Sequence, residues 1–411
     1  MNEFILNKIE KRNNRVLYDY TVLGEWKKYF KLDEEFFIEY GDLNIEEIPN
    51  GILVIPLLVN VLPISWVLDG RIEIGEIDKE FYDCIKKVKR GYVDMYSHIV
   101  FKGEILAETV IDNSYVASGG TAAFFSGGVD AYNTLISHVE EKPALVTLWG
   151  SDVTLEDCEG WERVRQHAEF VGKEFSCKNF FIKSSFRKFL NEGALTDLVT
   201  PKAGDGWWHG FQHGIGLIGH IAPYAFKYKL STIYIASSFT VKDKGKVTCA
   251  SDPTIDNHVK MASCRTVHDG YEFSRQDKVH NICKYKREYQ KKILLRVCWQ
   301  SSGGSNCCHC EKCYRTICAI IAEGENPREM GFEYDDRIYS RMKKDIKYKF
   351  IFDDVMRTYW YEIQQCLKNR NEQYDNLLWL NKFDFKKYDI EITFSKKMYQ
   401  LLQKIKRRFN R

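Results

Sequence analysis

Short apolar runs alternate with polar, helix-forming stretches through the middle of this 411-residue chain. Five of the runs have the length and the β-branched or aromatic content of buried strands: residues 121–125, 144–149, 178–183, 231–236 and 264–268. Strands that alternate with helices are typical of a parallel sheet with helices on both faces. The pattern therefore predicts an α/β fold that binds its ligand at the carboxyl ends of the strands.

The N-terminal region follows a different pattern. Residues 36–38, 52–58 and 98–101 are short β-type runs, and residues 78–90 have helical periodicity. Together they predict a small α+β domain, while the aromatic and charged C-terminal region predicts a helical extension. The predicted domains are, in chain order, residues 1–115, 116–330 and 331–411.

The longest apolar run, residues 52–68, contains two prolines, an asparagine and a serine. It is shorter than the roughly 20 apolar residues of a membrane-spanning helix, so we expect two buried strands joined by a bend. The N-terminus carries no cleavable signal pattern, and the number of cysteines is odd, at 13. We therefore expect a cytoplasmic protein with free thiols rather than disulfides.

A loop-forming segment follows the first predicted strand directly. It consists of Ser126, Gly127, Gly128, Val129 and Asp130. Adjacent glycines let the backbone approach a ligand, and a helix that begins near Asp130 directs free N–H groups and its positive dipole end at the same point. Such a turn favours phosphate, although the ending of a Walker loop is absent. An ordinary glycine turn between a strand and a helix is the alternative.

This segment resembles the PP-loop of ATP pyrophosphatases, which cleave ATP between its α and β phosphates to give AMP and pyrophosphate. The resemblance implies that all five loop residues bind ATP. Ser126 and Asp130 would be catalytic, and Asp130 would help to hold Mg²⁺. Ala131 stands where the family usually carries a second serine, which removes one phosphate hydrogen bond but no backbone donor.

Four cysteines have the spacing C-x8-C-x2-C-x2-C of a metal-binding knuckle. They are Cys298, Cys307, Cys310 and Cys313. Four thiolates at this spacing can close around one tetrahedral ion, and zinc is the expected occupant. An iron–sulfur cluster is the alternative. Cys308 and His309 are left out of the predicted site, because Cys308 is next to a ligand and is expected to point the other way.

A PP-loop followed by this cysteine spacing resembles the 7-cyano-7-deazaguanine synthase family, over roughly residues 119–325. In that family ATP activates a substrate carboxylate as an acyl-adenylate, ammonia attacks it, and zinc is structural. The resemblance implies a C–N-bond-forming ligase that uses ATP, Mg²⁺ and Zn²⁺ and takes a small-molecule carboxylate with ammonia or an amine. The chain departs from the family in its length, in both terminal regions and at Ala131, so the substrate stays open.

Further site residues follow the ends of the predicted strands. Trp149 and Gly150 end the second strand and, by the resemblance, pack the adenine; a strand-end turn is the alternative. Arg187 follows the third strand and is positioned to bind a phosphate or carboxylate; a solvated arginine is the alternative.

Three histidines, His209, His213 and His220, fall near one helical face. No acidic partner accompanies His209 and His213, which argues against a metal site. Beside Gly214, His213 is a candidate contact for ATP or the substrate. A histidine buried in the core is the alternative.

Two pairs of charged residues complete the predicted site. Asp252 and Asp256 lie where the synthase family reads its organic substrate, although acidic residues beside a proline are also common in turns. Arg275 and Lys278 follow the fifth strand, on a helix for which Ser274 is the expected N-cap. The resemblance makes Arg275 and Lys278 catalytic ligands of pyrophosphate; a solvated helix face is the alternative.

The charge distribution bears on partners. The net charge is +3, so no strong overall field favours nucleic acid, which we do not expect as a partner. Residues 395–411 contain seven basic and no acidic residues around an apolar stripe. We favour a packed terminal helix there over peripheral contact with an anionic membrane or RNA. Protein partners stay open.

Two other functions fit the same motifs. A tRNA-modifying PP-loop enzyme would share the nucleotide site but would need a strongly basic face, which only the tail offers. A catalytically degenerate module would use ATP or zinc for structure alone, and this function would account for Ala131.

Overall fold

The structure, a computed structural model, describes residues 2–298, 304–370, 374–385, 398, 401 and 402. It is an α/β fold with a large sheet, in which most strand pairs are parallel, and many helices. The chain forms two compact units. Unit 1 contains Met1–Ser126 and Thr134–Glu272, and unit 2 contains Gly127–Asn133 and Phe273–Arg411.

The strands of the described chain all belong to unit 1 and form one sheet of eleven strands. Their bounds are β1 (Glu3–Arg12), β2 (Arg15–Leu23), β3 (Phe36–Glu39), β4 (Arg71–Asp78), β5 (Glu104–Ile111), β6 (Thr121–Phe124), β7 (Ala144–Trp149), β8 (Asn179–Ser184), β9 (Thr232–Ala236), β10 (Lys260–Met261) and β11 (Cys264–Asp269). Across the sheet the order is β10-β11-β9-β6-β7-β8-β3-β2-β1-β4-β5.

Helices occur in both units, and one of them, α4, crosses the division between them. In unit 1 the helices are α1 (Asn50–Leu53), α2 (Ile55–Leu68), α3 (Lys79–Met95), α4 (Val129–Ser137, in part), α5 (Cys158–Phe175), α6 (Glu192–Ala203), α7 (Ile215–Ile218), α8 (Ala222–Tyr228) and α9 (Pro253–Asp256). In unit 2 they are α10 (Arg275–Tyr289), α11 (Glu311–Ala322), α12 (Ile338–Tyr348), α13 (Asp354–Lys368) and α14 (Leu378–Asn381).

The five strands predicted for the middle of the chain are confirmed as β6, β7, β8, β9 and β11. They lie side by side in the order β11-β9-β6-β7-β8, and every neighbouring pair is parallel. The chain proceeds outward from β6 in both directions, so the topological switch point lies between β6 and β9. Open parallel sheets bind ligands outside the carboxyl ends of their strands at such a point, and the segment that begins at Ser126 follows β6 there.

The N-terminal strands continue the same sheet, because β3 pairs antiparallel with β8 through Ile38 and Ser184. The predicted helix near residue 80 is α3, and Asp78 caps it by accepting the N–H of Phe81 at 3.0 Å. The same carboxylate accepts the N–H of Ala262 at 2.8 Å and thereby ties α3 to the turn between β10 and β11. The domain boundaries predicted at residues 115 and 330 stay predictions.

The apolar run 52–68 is helical, so the expected pair of buried strands is wrong. Every residue of α2 from Ile55 to Trp66 is buried, and a helix buried on all sides lacks the 3.6-residue polar periodicity that identifies a surface helix. Pro56 lies in the first turn, where a missing N–H is tolerated, and Pro63 lies inside the helix. The β-type run 98–101 also lies outside the strands.

Within the described residues, none of the helices combines the length and the apolar character that crossing a bilayer requires. The helix predicted over residues 395–411 lies outside the described residues, except for Met398, Leu401 and Leu402.

Candidate functional site

The four predicted cysteines come together in unit 2. Their sulfur atoms all lie within 4.8 Å of one another. The Cys298–Cys310 and Cys307–Cys313 sulfur pairs are each 3.9 Å apart. Sulfur atoms bound at about 2.3 Å to one tetrahedral ion are about 3.8 Å apart, whereas the thiolates of a cubane bind four separate irons and lie farther apart. The cluster therefore has the dimensions to hold a single metal ion such as zinc.

The N-terminus of helix α11 favours the thiolate form of one of these cysteines. Cys310 is its N-cap, and the sulfur atom accepts the N–H of Cys313 at 3.4 Å. Hydrogen bonding by Cys313 lowers the pKa of Cys310 to about 5, and the positive end of the helix favours the same thiolate. Burial raises the pKa of Cys307 to about 12, so an ion would have to displace that proton.

Asn306 joins the two arms of the knuckle. Its Oδ1 atom accepts the N–H groups of Val297 and Cys298, at 2.9 and 3.3 Å. Its Nδ2 atom donates to the carbonyl oxygens of Leu295 and Gly331, at 2.8 and 2.7 Å. These four bonds fix the first cysteine beside the other three. The sequence analysis did not predict this role. The available signal was an amide residue, Asn306, directly before the second ligand.

Cys308 and His309 lie outside the cluster, as predicted. The sulfur of Cys308 lies 3.7 Å from the carbonyl oxygen of Asn306, and the Nδ1 atom of His309 lies 2.6 Å from the carbonyl oxygen of Cys307. The four cysteines are the only group of three or more potential ligands that converges within the described residues.

A second cluster in unit 2 surrounds the carboxylate of Asp130, in the first turn of α4. The Nη1 atom of Arg275 lies 2.8 Å from one carboxylate oxygen, and the Nζ atom of Lys278 lies 3.1 Å from the other. Ser274 caps α10 in a capping box with Asp277, as its predicted N-cap role requires. Arg275 and Lys278 are three residues apart and therefore share one face of α10.

Three cations act on the carboxylate of Asp130. Burial alone would raise the pKa of Asp130, but the charges of Arg275, Lys278 and Lys312 overcome this effect and lower it to about 2. The Nε atom of Arg275 is buried and has no hydrogen-bond partner among the described residues. A buried guanidinium with a spare donor beside a second buried cation fits an anionic ligand, because a buried polar group without a partner is costly.

The segment before Asp130 forms a turn between a strand and a helix, a form that both the predicted phosphate-binding loop and an ordinary glycine turn have. β6 ends at Phe124 and α4 begins at Val129, and the φ angle of Gly127 is +78°, in the region that favours glycine. The N–H of Arg296 donates to the carbonyl oxygen of Gly127 at 2.7 Å. The chain that leads to the cysteine cluster is therefore bonded to this loop.

Trp149 and Gly150 lie in unit 1, at the end of β7. The indole N–H of Trp149 donates to the carbonyl oxygen of Thr154 at 2.8 Å, and its ring stacks on Trp161 at 5.2 Å between centroids. The φ angle of Gly150 is +103°, and a Cβ atom there would collide with the carbonyl oxygen of Ser184. Their role toward adenine stays a prediction.

Arg187, also in unit 1, is already paired. Its guanidinium makes two hydrogen bonds to Glu192, at 2.5 and 2.7 Å, and one to the carbonyl oxygen of Ser151 at 3.1 Å. It also lies over the ring of Trp208, 4.2 Å from the centroid. Binding a phosphate or carboxylate would require Arg187 to give up part of this pairing.

Asp252 and Asp256 have local structural partners. Asp252 caps α9 by accepting the N–H and the hydroxyl of Thr254, at 2.9 and 2.6 Å. Asp256 is fully buried; one of its oxygens lies 2.8 Å from Nδ1 of His268 and accepts the hydroxyl of Ser251 at 2.8 Å. Their role toward a substrate stays a prediction.

His213 approaches Cys249, which sequence reasoning had not placed in the predicted site. Its Nδ1 atom lies 4.0 Å from the Cys249 sulfur. Asp205 lies 2.6 Å from Nδ1 of His209, so the expectation that no acidic partner accompanies these histidines is wrong. The signal was the helical spacing of four residues between Asp205 and His209. His220 is a core histidine, bonded at both ring nitrogens, and burial lowers its pKa to about 4.

Comparison of the chain with protein-family models, curated proteins and solved structures found no match. The family resemblance therefore stays a prediction that depends on two motifs.

We expect about one zinc ion per chain by elemental analysis, because four thiolates at this spacing match tetrahedral coordination. Cys310→Ser should lose the ion and lower the melting temperature, since a closed metal site contributes directly to folding. Cys308→Ser is the matched control, a neighbouring thiol outside the cluster that should keep the ion. Undiminished zinc in Cys310→Ser, or iron with a visible absorbance band, would contradict a mononuclear zinc site.

Asp130→Asn should lower the free energy of unfolding by about 2 kcal/mol or more at neutral pH. The pKa of Asp130 is about 2 against an ordinary 3.8, each unit is worth about 1.4 kcal/mol, and the change leaves buried cations without their carboxylate. Because the folded-state pKa is the lower one, this stabilisation is present above about pH 4 and is lost as the pH falls toward 2.

Urea unfolding of both proteins between about pH 7 and pH 2.5 measures this difference, which should shrink in acid. Asp94→Asn is the control. It breaks an exposed ion pair with Arg90 and should change stability little. A difference between Asp130→Asn and the native chain that stays constant down to the lowest pH would refute the ionised cluster.

Proposed function

We propose that this chain is an ATP-dependent C–N ligase of the PP-loop type, which activates a substrate carboxylate as an acyl-adenylate and releases pyrophosphate. The observation that carries the proposal is the spare donor of Arg275 among the buried cations beside Asp130, at the start of a helix that follows a Ser-Gly-Gly turn. Helix N–H groups and cations that act on one point favour a ligand with several negative charges, such as a triphosphate.

In this proposal the loop residues have divided roles. The N–H groups of residues 127–130 and the hydroxyl of Ser126 bind the phosphates. Arg275 and Lys278 stabilise the charge that develops as pyrophosphate leaves, and the spare Nε of Arg275 supplies a further donor. Asp130 holds both cations in place.

Magnesium would enter with ATP rather than through a protein cage. Both carboxylate oxygens of Asp130 are in ion pairs, so this carboxylate is a poor Mg²⁺ ligand in its present arrangement. Mg²⁺ in nucleotide sites takes many of its oxygen ligands from phosphates and water. Its contribution when bound is neutralisation of phosphate charge.

The place of Ser126 in the chain gives further support. Ser126 follows β6, at the switch point of five parallel strands, where ligands of open α/β sheets bind. A fold position alone does not determine function, so the charged groups beside Asp130 carry the proposal.

Ala131 weakens the proposed site without removing it. Ala131 is 4% exposed, so its methyl group is buried where the family that the loop resembles carries a hydroxyl. One neutral hydrogen bond contributes about 1 kcal/mol, which is less than the charged groups beside it supply.

The proposed metal is a structural zinc ion. Four protein ligands leave no open coordination position for a reactive water molecule. Through the bond from Arg296 to Gly127, at 2.7 Å, an ion in the cluster would help to fix the phosphate-binding loop. The acyl-adenylate would then react with ammonia or an amine to give an amide or, after a second round, a nitrile.

Incubation with MgATP, ammonium and a carboxylated deazaguanine should yield AMP and pyrophosphate in equal amounts. Ser126→Ala should slow pyrophosphate release about tenfold or more, a loss of about 1.4 kcal/mol. It removes a hydroxyl from an exposed loop position and leaves the buried ion pairs intact. Ser340→Ala, at an exposed position of α12, is the control and should keep the native rate.

Formation of ADP and phosphate, or a native rate in Ser126→Ala, would contradict the assignment. Calorimetric titration with MgATP alone separates a failed nucleotide site from a wrong choice of acid. No heat of binding rules out the site, whereas binding without turnover leaves the acid to be replaced by others.

A further inference from the structure

Unit 1 contains a Cys–His–Asp arrangement that the proposed ligase does not use. Asp205 lies 2.6 Å from Nδ1 of His209. The Nδ1 atom of His213 lies 4.0 Å from the sulfur of Cys249, and His209 also acts on the pKa of this thiol. Cys249 is 5% exposed and the side chain of His209 is 43% exposed, so the cluster reaches the surface at His209.

A π-helical turn, Trp208–Gln212, supplies the geometry of the two histidines. The N–H of His213 donates to the carbonyl oxygen of Trp208 at 2.7 Å, across five residues. The hydroxyls of Tyr92 and Tyr96 donate to two other carbonyl oxygens of the turn, at 2.7 and 3.0 Å. Such turns are rare and occur frequently at functional sites.

The residues on either side of Cys249 form hydrogen bonds with His209 and Asp205. The N–H of Ala250 donates to the carbonyl oxygen of His209 at 2.8 Å, and the hydroxyl of Thr248 donates to Asp205 at 3.4 Å. The thiol is therefore held beside the imidazole by bonds on both sides.

The two histidines make the thiol acidic. Burial would raise the pKa of Cys249, but hydrogen bonds from His209 and His213 overcome burial and lower it to about 6. Hydrogen bonds to Asp205 and Cys249 raise the pKa of His209 to about 10. Between these two values a thiolate and an imidazolium stand side by side, as in enzymes with a cysteine nucleophile.

The other groups around the thiol do not oppose this pair. Burial raises the pKa values of Tyr92 and Tyr96, so both hydroxyls stay neutral. The charge of Asp152 acts on His213 and helps to raise its pKa. Asp256 is paired with a buried histidine at 2.8 Å. A shared metal does not account for the cluster, since it is not among the converging ligand groups of the described residues.

We propose that Cys249 is the nucleophile of an acyl-transfer site for small esters or amides, with His209 as its proton donor and acceptor and Asp205 as the residue that orients His209. The roles follow from geometry, as in other nucleophile–base–orienter arrangements. His213 is a second donor to the thiolate.

The reaction has two steps. The thiolate attacks the carbonyl carbon, a C–S bond forms, the bond to the alcohol or amine breaks, and His209 gives its proton to that leaving group. Water then attacks the thioester and gives a proton to His209, the C–S bond breaks, and the carboxylic acid leaves. The second step restores the thiolate and the imidazolium.

The test uses the full chain and p-nitrophenyl acetate as the probe. Peptide mass spectrometry should find an acetyl group on Cys249, accompanied by a burst of p-nitrophenolate. Cys249→Ser should lose both signals, and His209→Gln should slow acetylation about tenfold or more. Cys264→Ser is the control, since burial raises the pKa of that thiol to about 12. Equal acetylation in His209→Gln, or labelling of other cysteines with Cys249 unmodified, would overturn the proposal.

A second test measures how the rate of Cys249 alkylation by iodoacetamide depends on pH. Its main measurement uses the native protein, so it tests the proposal even if the substitutions unfold the chain. The rate should rise with a midpoint near pH 6 in the native protein. In Asp205→Asn the midpoint should move toward the ordinary thiol value of about 8.5, which a merely structural aspartate would not produce. A native midpoint near 8.5 would overturn the proposal, whatever the outcome of the ATP experiments.

Discussion

The carboxylate of Asp130 is the group on which the charged centre of unit 2 depends. Arg275 and Lys278 are 11% and 2% exposed in their side chains, and buried cations of this kind are stable only when paired. Asp130 supplies that pairing from the first turn of α4, so two cations stand beside the positive end of this helix. In the proposed function, a phosphate-bearing ligand would add negative charge beside these cations and meet the spare donor of Arg275.

Hydrogen bonds connect the cysteine cluster to the glycine loop. The chain between α10 and the first cysteine bonds to Gly127 through the N–H of Arg296, and Asn306 then fixes the next two residues. A metal ion at the sulfur atoms would therefore restrain the loop without touching a nucleotide. Such coupling explains how an ion with no open coordination position could still influence catalysis.

The features that the sequence predicts well depend on residues that lie close together along the chain. The five middle strands, the capping role of Ser274 and the four cysteines all belong to this kind. Residues 52–68 were misread because burial on every side removes the periodicity of a helix. The partners of Cys249 were not predicted, because they lie 36 and more residues away along the chain and only the fold brings them together. Asp205 was overlooked although its spacing from His209 is helical.

The most direct measurement is a crystal structure of the chain with Mg²⁺ and α,β-methylene-ATP, which cannot be cleaved between its α and β phosphates. Our account places the phosphates within hydrogen-bond distance of the N–H groups of residues 127–130, with the Nε atom of Arg275 donating to one of them. A nucleotide bound elsewhere, or none at saturating concentration with the Asp130 cluster unchanged, would contradict it.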